Sequence, residues 1–166
     1  MQLDLSGLYY LDGIDMWKAW SLIIQIGSAD FLKYPAKKPS ITHDWPDQHG
    51  LDVDLSKVYL QARTGTLSCV IATNTEGEFF RKHDDFLARL IQPGTRRLTI
   101  AAHGGRSYKV YYKECSAYRQ LPSGKLTGMG ANQVLHEFNI TLEEPTPEVF
   151  AFDQHIIADD GAFIIT

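Results

Sequence analysis

The chain has 166 residues, of which 44% are apolar and 22% are charged, and its formal net charge is −4. This balance is typical of one compact soluble domain and excludes a disordered or fibrous chain. Because the charge is mildly acidic, we expect neither specific nucleic-acid binding nor attachment to an anionic membrane.

Targeting signals and cysteines indicate where the chain is made. No apolar run is long enough to span a bilayer, and the start MQLDLSGLYY lacks the basic and apolar regions of a secretory signal. Cys69 and Cys115 lie far apart and form no C-x-x-C motif. Buried free thiols in a reducing compartment are the favoured interpretation, so we expect a cytoplasmic site of synthesis.

The first half of the chain carries mostly strand signals. Asp12-Gly13 between apolar residues predicts a β-hairpin over about residues 7–11 and 14–26. Residues 27–50 have no sustained period and predict a long irregular connection. The stretch LDVDLSKVYLQARTGTLSCVIAT then predicts two strands, the first with its leucines and valine facing the core and its aspartates facing solvent.

One helix is predicted, over about residues 76–92. Thr75 and Glu78 form a T-x-x-E capping box, apolar residues recur at three- and four-residue spacing, and Pro93-Gly94 ends the pattern. RRLTIAA, the turn HGGRS and YKVYYKECSAYRQL then predict a hairpin of two strands, and VLHEFNITLEE predicts a further strand.

These elements define the expected fold class, which is mainly β: an antiparallel β-sandwich or partly open barrel with one α-helix that closes one end. We expect residues 1–144 to form this domain. The stretch EEPTPE breaks the strand pattern. Residues 145–166 are therefore expected to be a proline-led linker and a C-terminal β-hairpin or arm.

The stretch ITHDWPDQHGLDVD is the strongest candidate for a chemical site. Its histidines and aspartates match neither the H-E-x-x-H motif, nor an EF-hand, nor the H-x-H pair of a cupin. A turn over Asp44–Asp47 explains the stretch better, with Trp45 as an anchor that docks the loop on its own domain or on a partner. A metal-dependent enzyme that uses His43, Asp44 and His49 stays open as a weaker alternative.

Other catalytic patterns are absent from the sequence. There is no P-loop and no G-x-G-x-x-G, and HGG lacks the G-x-S-x-G elbow that a hydrolase oxyanion loop requires. We therefore expect no enzymatic activity and no cofactor.

The order of these segments resembles the N-terminal, ring-forming domain of the distal tail proteins of long-tailed bacteriophages, including those of prophages. The resemblance runs from about Leu8 to Pro147. It begins with GIDMWKAWSLIIQIGSADFLKYPAKKPSITHDWPDQHGLDVDLS, continues with ARTGTLSCVIATNTEGEFFRKHDDFLARLIQPGTRRLTI, and closes with SYKVYYKECSAYRQL and HEFNITLEEPTP. The second, carbohydrate-binding-like domain that is common in this family is not expected within these 166 residues.

The resemblance implies a structural role. Family members are β-sandwiches related to tail-tube subunits, and they form homo-oligomeric rings, typically hexameric, that join the tail tube to the baseplate or tip. It implies other tail proteins as partners, synthesis in the bacterial cytoplasm and a final place in the virion tail. The loop at residues 27–50, the HGGRS turn and the C-terminal arm would contact neighbours, with these candidate contact residues: Phe31, Tyr34, Trp45, Pro46, Arg106 and Phe163.

A small carbohydrate-binding β-sandwich is the main alternative. It would use Trp17, Trp20 and Trp45 as stacking surfaces, although Trp17 and Trp20 are also well placed for the core.

Overall fold

The computed structural model describes residues 4–121 and 134–148, together with the backbone of two short strands at 156–157 and 163–164. The strands are Tyr9–Leu11 (β1), Ile14–Asp15 (β2), Leu22–Ile26 (β3), Thr42–His43 (β4), Asp52–Val53 (β5), Arg63–Thr73 (β6), Arg96–Ile100 (β7), Arg106–Leu121 (β8), Val134–Glu144 (β9), Ile156–Ile157 (β10) and Phe163–Ile164 (β11). The helices are Met16–Trp20 (α1) and Glu76–Leu90 (α2), with 3-10 turns at Ser28–Leu32 and Ala101–His103. The prediction of a mainly β fold with one long helix is confirmed.

Seven strands form one antiparallel sheet in the order β2-β1-β7-β8-β9-β6-β3. Strand β8 joins the two halves, since residues 106–110 pair with β7 and residues 111–121 pair with β9. Bulges interrupt the second ladder after Tyr112 and after Ser116, and bulges bend a strand. The sheet stays open between β2 and β3, and its two halves pack around one core, which is the partly open arrangement expected.

Alternate side chains of strands β6 and β9 face the core. Cys69 of β6 lies opposite Phe138 of β9, and both side chains are fully buried. This alternation is the period of a strand with one face against a core. The other half of the sheet completes the same cluster with Leu11, Leu98, Ile100, Tyr108 and Val110.

The two cysteines are both free thiols, but they differ in exposure. Cys69 is buried, whereas Cys115 is exposed on β8. The expectation that both are buried is therefore wrong for Cys115, because this part of β8 is bordered by bulges and its residues are exposed.

Helix α2 begins and ends where its sequence signals predict. The Glu78 N–H donates to the Thr75 hydroxyl at 3.2 Å, which caps the first turn. Phe79, Phe86 and Leu90 are buried on one face of the helix, which packs against β6. Burial of such side chains contributes roughly 1.5–3 kcal/mol each relative to exposure.

The predicted N-terminal hairpin is only partly correct. Strands β1 and β2 pair around Asp12-Gly13, but helix α1 replaces the middle of the strand expected over residues 14–26. The end of that stretch is strand β3, which pairs with β6 and not with β1. The Asp15 carboxylate accepts hydrogen bonds from the N–H groups of Trp17 and Lys18, both at 3.0 Å, and such capping favours a helical turn. Ser21 then ends the helix with a left-handed backbone before β3.

The C-terminal region is described only in part. Strand β9 ends at Glu144, directly before Pro145, and the short strands β10 and β11 pair antiparallel with each other. The division of the chain at residue 144 stays a prediction. None of the helices in the described ranges is long and apolar enough to cross a membrane.

Gly27 gives a direct test of this packing. Its φ is 101°, and a Cβ there would lie 1.9 Å from the Thr66 carbonyl oxygen. We expect Gly27→Ala to lower the free energy of unfolding by about 3 kcal/mol, because a strained backbone meets a backbone clash. Gly77→Ala is the matched control, since a Cβ at Gly77 meets nothing within 4 Å and a helix favours alanine by up to about 1 kcal/mol. Urea unfolding measures both, and equal stabilities would contradict this description of β3.

Candidate functional site

Residues 34–62 form a two-stranded arm between the first 3-10 turn and β6. Thr42 of β4 lies opposite Val53 of β5. Nearer to the sheet, the Lys38 N–H donates to the Tyr59 carbonyl at 2.8 Å. The predicted irregular connection is therefore wrong in this respect: its second half pairs with the residues that follow it, which satisfies backbone groups that the main sheet does not reach.

No residue of the arm is buried, and all but the half-buried Pro35, Val53 and Leu60 are exposed. Thirteen large apolar side chains are exposed among the described residues, and the arm carries seven of them, which are 51% to 83% exposed: Tyr34, Ile41, Trp45, Leu51, Leu55, Val58 and Tyr59. A concentration of exposed apolar surface is typical of an interaction site. The expectation that Leu51 and Leu55 face the core is wrong, because β5 pairs with β4 and not with the main sheet.

The stretch ITHDWPDQHGLDVD forms the end of the arm. The Gln48 N–H donates to the Trp45 carbonyl at 3.1 Å, which closes the turn, and the His43 ring stacks on Trp45 with centroids 5.9 Å apart. Within the residues whose placement is described, no three His, Cys, Asp or Glu side chains are grouped as metal ligands would be. The observed turn, Trp45 to Gln48, lies one residue later than the predicted turn over Asp44–Asp47. The geometry of His43, Asp44 and His49 gives no support to a metal site.

The arm is held to the sheet by a buried ion pair, which we call the neck. The Arg63 guanidinium donates to the Glu144 carboxylate from Nε at 2.9 Å, and its Nη1 donates to the Lys33 carbonyl, also at 2.9 Å. Arg63 follows the arm and Lys33 precedes it, so one side chain joins both ends of the arm to β9. Burial raises the pKa of Glu144 above its usual value, while the adjacent guanidinium opposes that shift.

Aromatic side chains surround the neck. The Arg63 guanidinium carbon lies 5.3 Å from the centre of the Tyr108 ring, within the range of a cation–π interaction. Phe31 packs against Tyr108, with ring centroids 5.2 Å apart. Gly65 makes room for Phe31, because a Cβ at that position would lie 2.7 Å from the phenylalanine ring.

The HGGRS turn lies beside the same cluster. Gly104 and Gly105 both have positive φ, which the turn between β7 and β8 requires. The His103 ring shares a 2.9 Å hydrogen bond between Nδ1 and the Tyr108 hydroxyl. Burial, with Arg106 and Arg63 nearby, lowers the pKa of His103, so the ring is mainly neutral at pH 7.

The six residues expected at subunit contacts differ in their exposure. Tyr34, Trp45 and Pro46 are exposed on the arm. Phe31 is 1% exposed and packs within its own chain, so its side chain cannot reach a neighbour in this conformation. Arg106 is half-buried at the start of β8. Phe163 lies in β11, and its side chain is outside the described residues.

The three tryptophans expected at a carbohydrate surface also differ in their exposure. Trp20 is buried, its Nε1 donates to the Asp85 carboxylate at 2.6 Å, and its ring meets Phe86 edge to face. Trp17 is half-buried on α1, so only Trp45 of the three has a largely open ring. The expected stacking surface of three tryptophans does not form.

Two histidines pack between α2 and the sheet. His136 is buried and stacks on Phe79, with centroids 3.7 Å apart, and its Nδ1 shares a 2.7 Å hydrogen bond with the Tyr118 hydroxyl. His83 lies against the same Phe79 ring. The predicted core or boundary place of His83 is confirmed, because its environment is aromatic packing.

Sequence reasoning missed Arg63 and Glu144. A signal was present, since each charge falls on the core-facing parity of its strand: Arg63 with Leu67 and Cys69, and Glu144 with Phe138 and Ile140. A charge at such a position requires a partner. The opposite strand could not be identified from a local pattern.

The fold is similar to one found in a phage tail hub protein. The solved structure is that of the Dit protein (gp 19.1) of SPP1, described as a paradigm of the hub adsorption apparatus in phages that infect Gram-positive bacteria. The two structures superpose with a TM-score of 0.58 at 14% sequence identity, over 84% of this chain and 50% of that one. The chain therefore spans about half the length of that protein, and the predicted resemblance is confirmed at the level of the fold.

Comparisons by sequence give no match. No protein-family model and no curated protein matches the chain.

The neck makes a specific prediction. Removal of one partner of a buried ion pair costs about 3 kcal/mol or more, because the other charge stays buried without a partner. We therefore expect Arg63→Met to lower the free energy of unfolding by that amount and to speed tryptic cleavage of the arm after Lys37 and Lys57. The double variant Arg63→Met with Glu144→Leu removes both charges and is expected to regain stability but not the slow cleavage. If the single and double variants are equally stable in urea, the neck is not an ion pair in solution.

Proposed function

We propose that this chain is a structural protein of a phage or prophage tail, of the distal tail type, that forms a homo-oligomeric ring between the tail tube and the baseplate or tip. The observation that carries the proposal is the fold similarity to the SPP1 hub protein over 84% of the chain. A hexamer is the ring size that the distal tail resemblance favours. Other tail proteins would lie above and below the ring, and the chain would pass from the bacterial cytoplasm to the virion tail.

The arm supports the same proposal from physical chemistry. An exposed apolar element of this size is a liability on a monomer, and a stable contact with a neighbour would remove it. Trp45 and Tyr34 are of the residue types enriched at the centres of interfaces. Residues 145–166 would form a second contact with a neighbour.

The proposal assigns no enzymatic activity and no cofactor to the chain. A carbohydrate-binding module has less support, because Trp20 is buried and hydrogen-bonded within the core.

Electron microscopy of the full chain, with mass photometry from nanomolar to micromolar concentration, tests the proposal. We expect closed rings, and we expect Trp45→Ser with Leu51→Ser to shift the chain toward monomers, with a dissociation constant raised by about tenfold or more. Phe80→Ser with Ile91→Ser is the matched control, because these apolar residues are equally exposed on and just after α2.

Two outcomes would contradict the proposal. One is a monomer at every concentration. The other is an oligomer that the control pair disrupts as strongly as the arm pair does.

A further inference from the structure

The arm carries its charges in two separate blocks. The arm base, residues 34–40 and 55–62, has three lysines and no acidic residue: Lys37, Lys38 and Lys57. The arm tip, residues 41–54, has four aspartates and neither lysine nor arginine: Asp44, Asp47, Asp52 and Asp54. The two blocks give an arm that is basic at one end and acidic at the other.

These blocks do not neutralise each other within one arm. Lys38 and Asp44 are six positions apart on extended chain, which corresponds to roughly 20 Å at the rise of a β-strand. Asp54 and Lys57, where the blocks adjoin, are three positions apart, which corresponds to roughly 10 Å. Exposed charges are screened beyond about 8 Å at physiological ionic strength. No ion pair is found for these lysines and aspartates within the described residues. Both blocks are therefore available to a partner.

The best complement to such an arm is a second copy of the same arm, turned end to end. We propose that the arms of two chains pair antiparallel about a two-fold axis near Ile41, so that the base lysines of each copy lie along the tip aspartates of the other. The apolar residues between the blocks, Ile41 and Leu55, which are 67% and 70% exposed, would then meet at the centre. A two-fold contact buries the same patch on both copies, so the whole arm is used at once.

The charge pattern also opposes the other simple packing of two arms. Arms side by side in the same direction, as neighbours in a ring would place them, set base against base and tip against tip, and like charges repel. The two-fold contact goes beyond the proposed ring, because it relates chains in opposite orientations. It would join two rings or form a dimer without any ring.

Single cysteines test the two-fold axis in the full chain, with Cys115→Ser as the background. Ile41→Cys is expected to form disulfide-linked dimers, because a residue near the axis meets its own copy. Lys38→Cys and Asp44→Cys, which an axis at residue 41 places opposite each other, are expected to form few dimers separately and to cross-link to each other when mixed. Two results would overturn the inference: no dimer through residue 41, or a 38–44 product no more abundant than the products of the separate variants.

Charge reversal tests the attraction itself, with the rate of cross-linking at residue 41 as the readout. Reversal of the three base lysines to glutamate is expected to slow the reaction by at least about tenfold, because ion pairs at the interface become repulsive. Mixing this variant with one in which Asp44, Asp47, Asp52 and Asp54 are lysines is expected to restore the rate, because each arm then has one sign of charge. The matched control reverses three exposed charges outside the arm: Lys18, Arg81 and Arg97.

The control is expected to cross-link like the unmodified arm. An unchanged rate after base reversal, or a control that slows as much, would overturn the inference. Failure here is distinct from failure of the proposed function. Rings without a product at residue 41 remove the two-fold contact and leave the ring, whereas dimers linked at residue 41 without rings keep the contact and remove the ring.

Discussion

The contact between Arg63 and Glu144 is the constraint on which the arrangement of the arm depends. Both groups lie on the core face of the sheet, where an unpaired charge is costly, so each requires the other. The same guanidinium also donates to the Lys33 carbonyl. One buried side chain therefore fixes the beginning of the arm, the beginning of β6 and the end of β9 at a single point, and the Tyr108 ring covers it.

This anchoring lets the arm project without packing on its own sheet. No residue of the arm is buried, and its strands pair with each other. The body does not need the arm for its core, because the core cluster is complete from Leu11 to Leu142 without any arm residue. The arm is therefore not needed for the core, and its surface is apolar with its charges in separate blocks. Such an element is suited to contact between chains.

Patterns between neighbours in sequence predicted the long helix and the longest strands. The pairing of distant strands and charges could not be predicted in this way. Thr75 and the apolar spacing of α2 defined the helix, and alternation defined β6 and β9, because both depend on neighbours in sequence. Helix α1 was missed because the Asp15 side chain caps it within a stretch that was predicted to be a strand. The arm ladder and the neck could not be predicted, since Glu144 lies 81 residues from Arg63 and strand order is set by the whole sheet. Trp45 was rightly placed in a turn, while Phe31 was expected at a contact and is buried in the core.

Hydrogen exchange of the full chain, at concentrations below and above assembly, tests most directly that the arm is an assembly element. The account predicts that amides of residues 36–61 exchange fast in the dilute chain and become protected in the assembled one, while those of β6 and β9 are protected in both. Arm amides that are as protected as β6 in the dilute chain, or that stay unprotected after assembly, would contradict it.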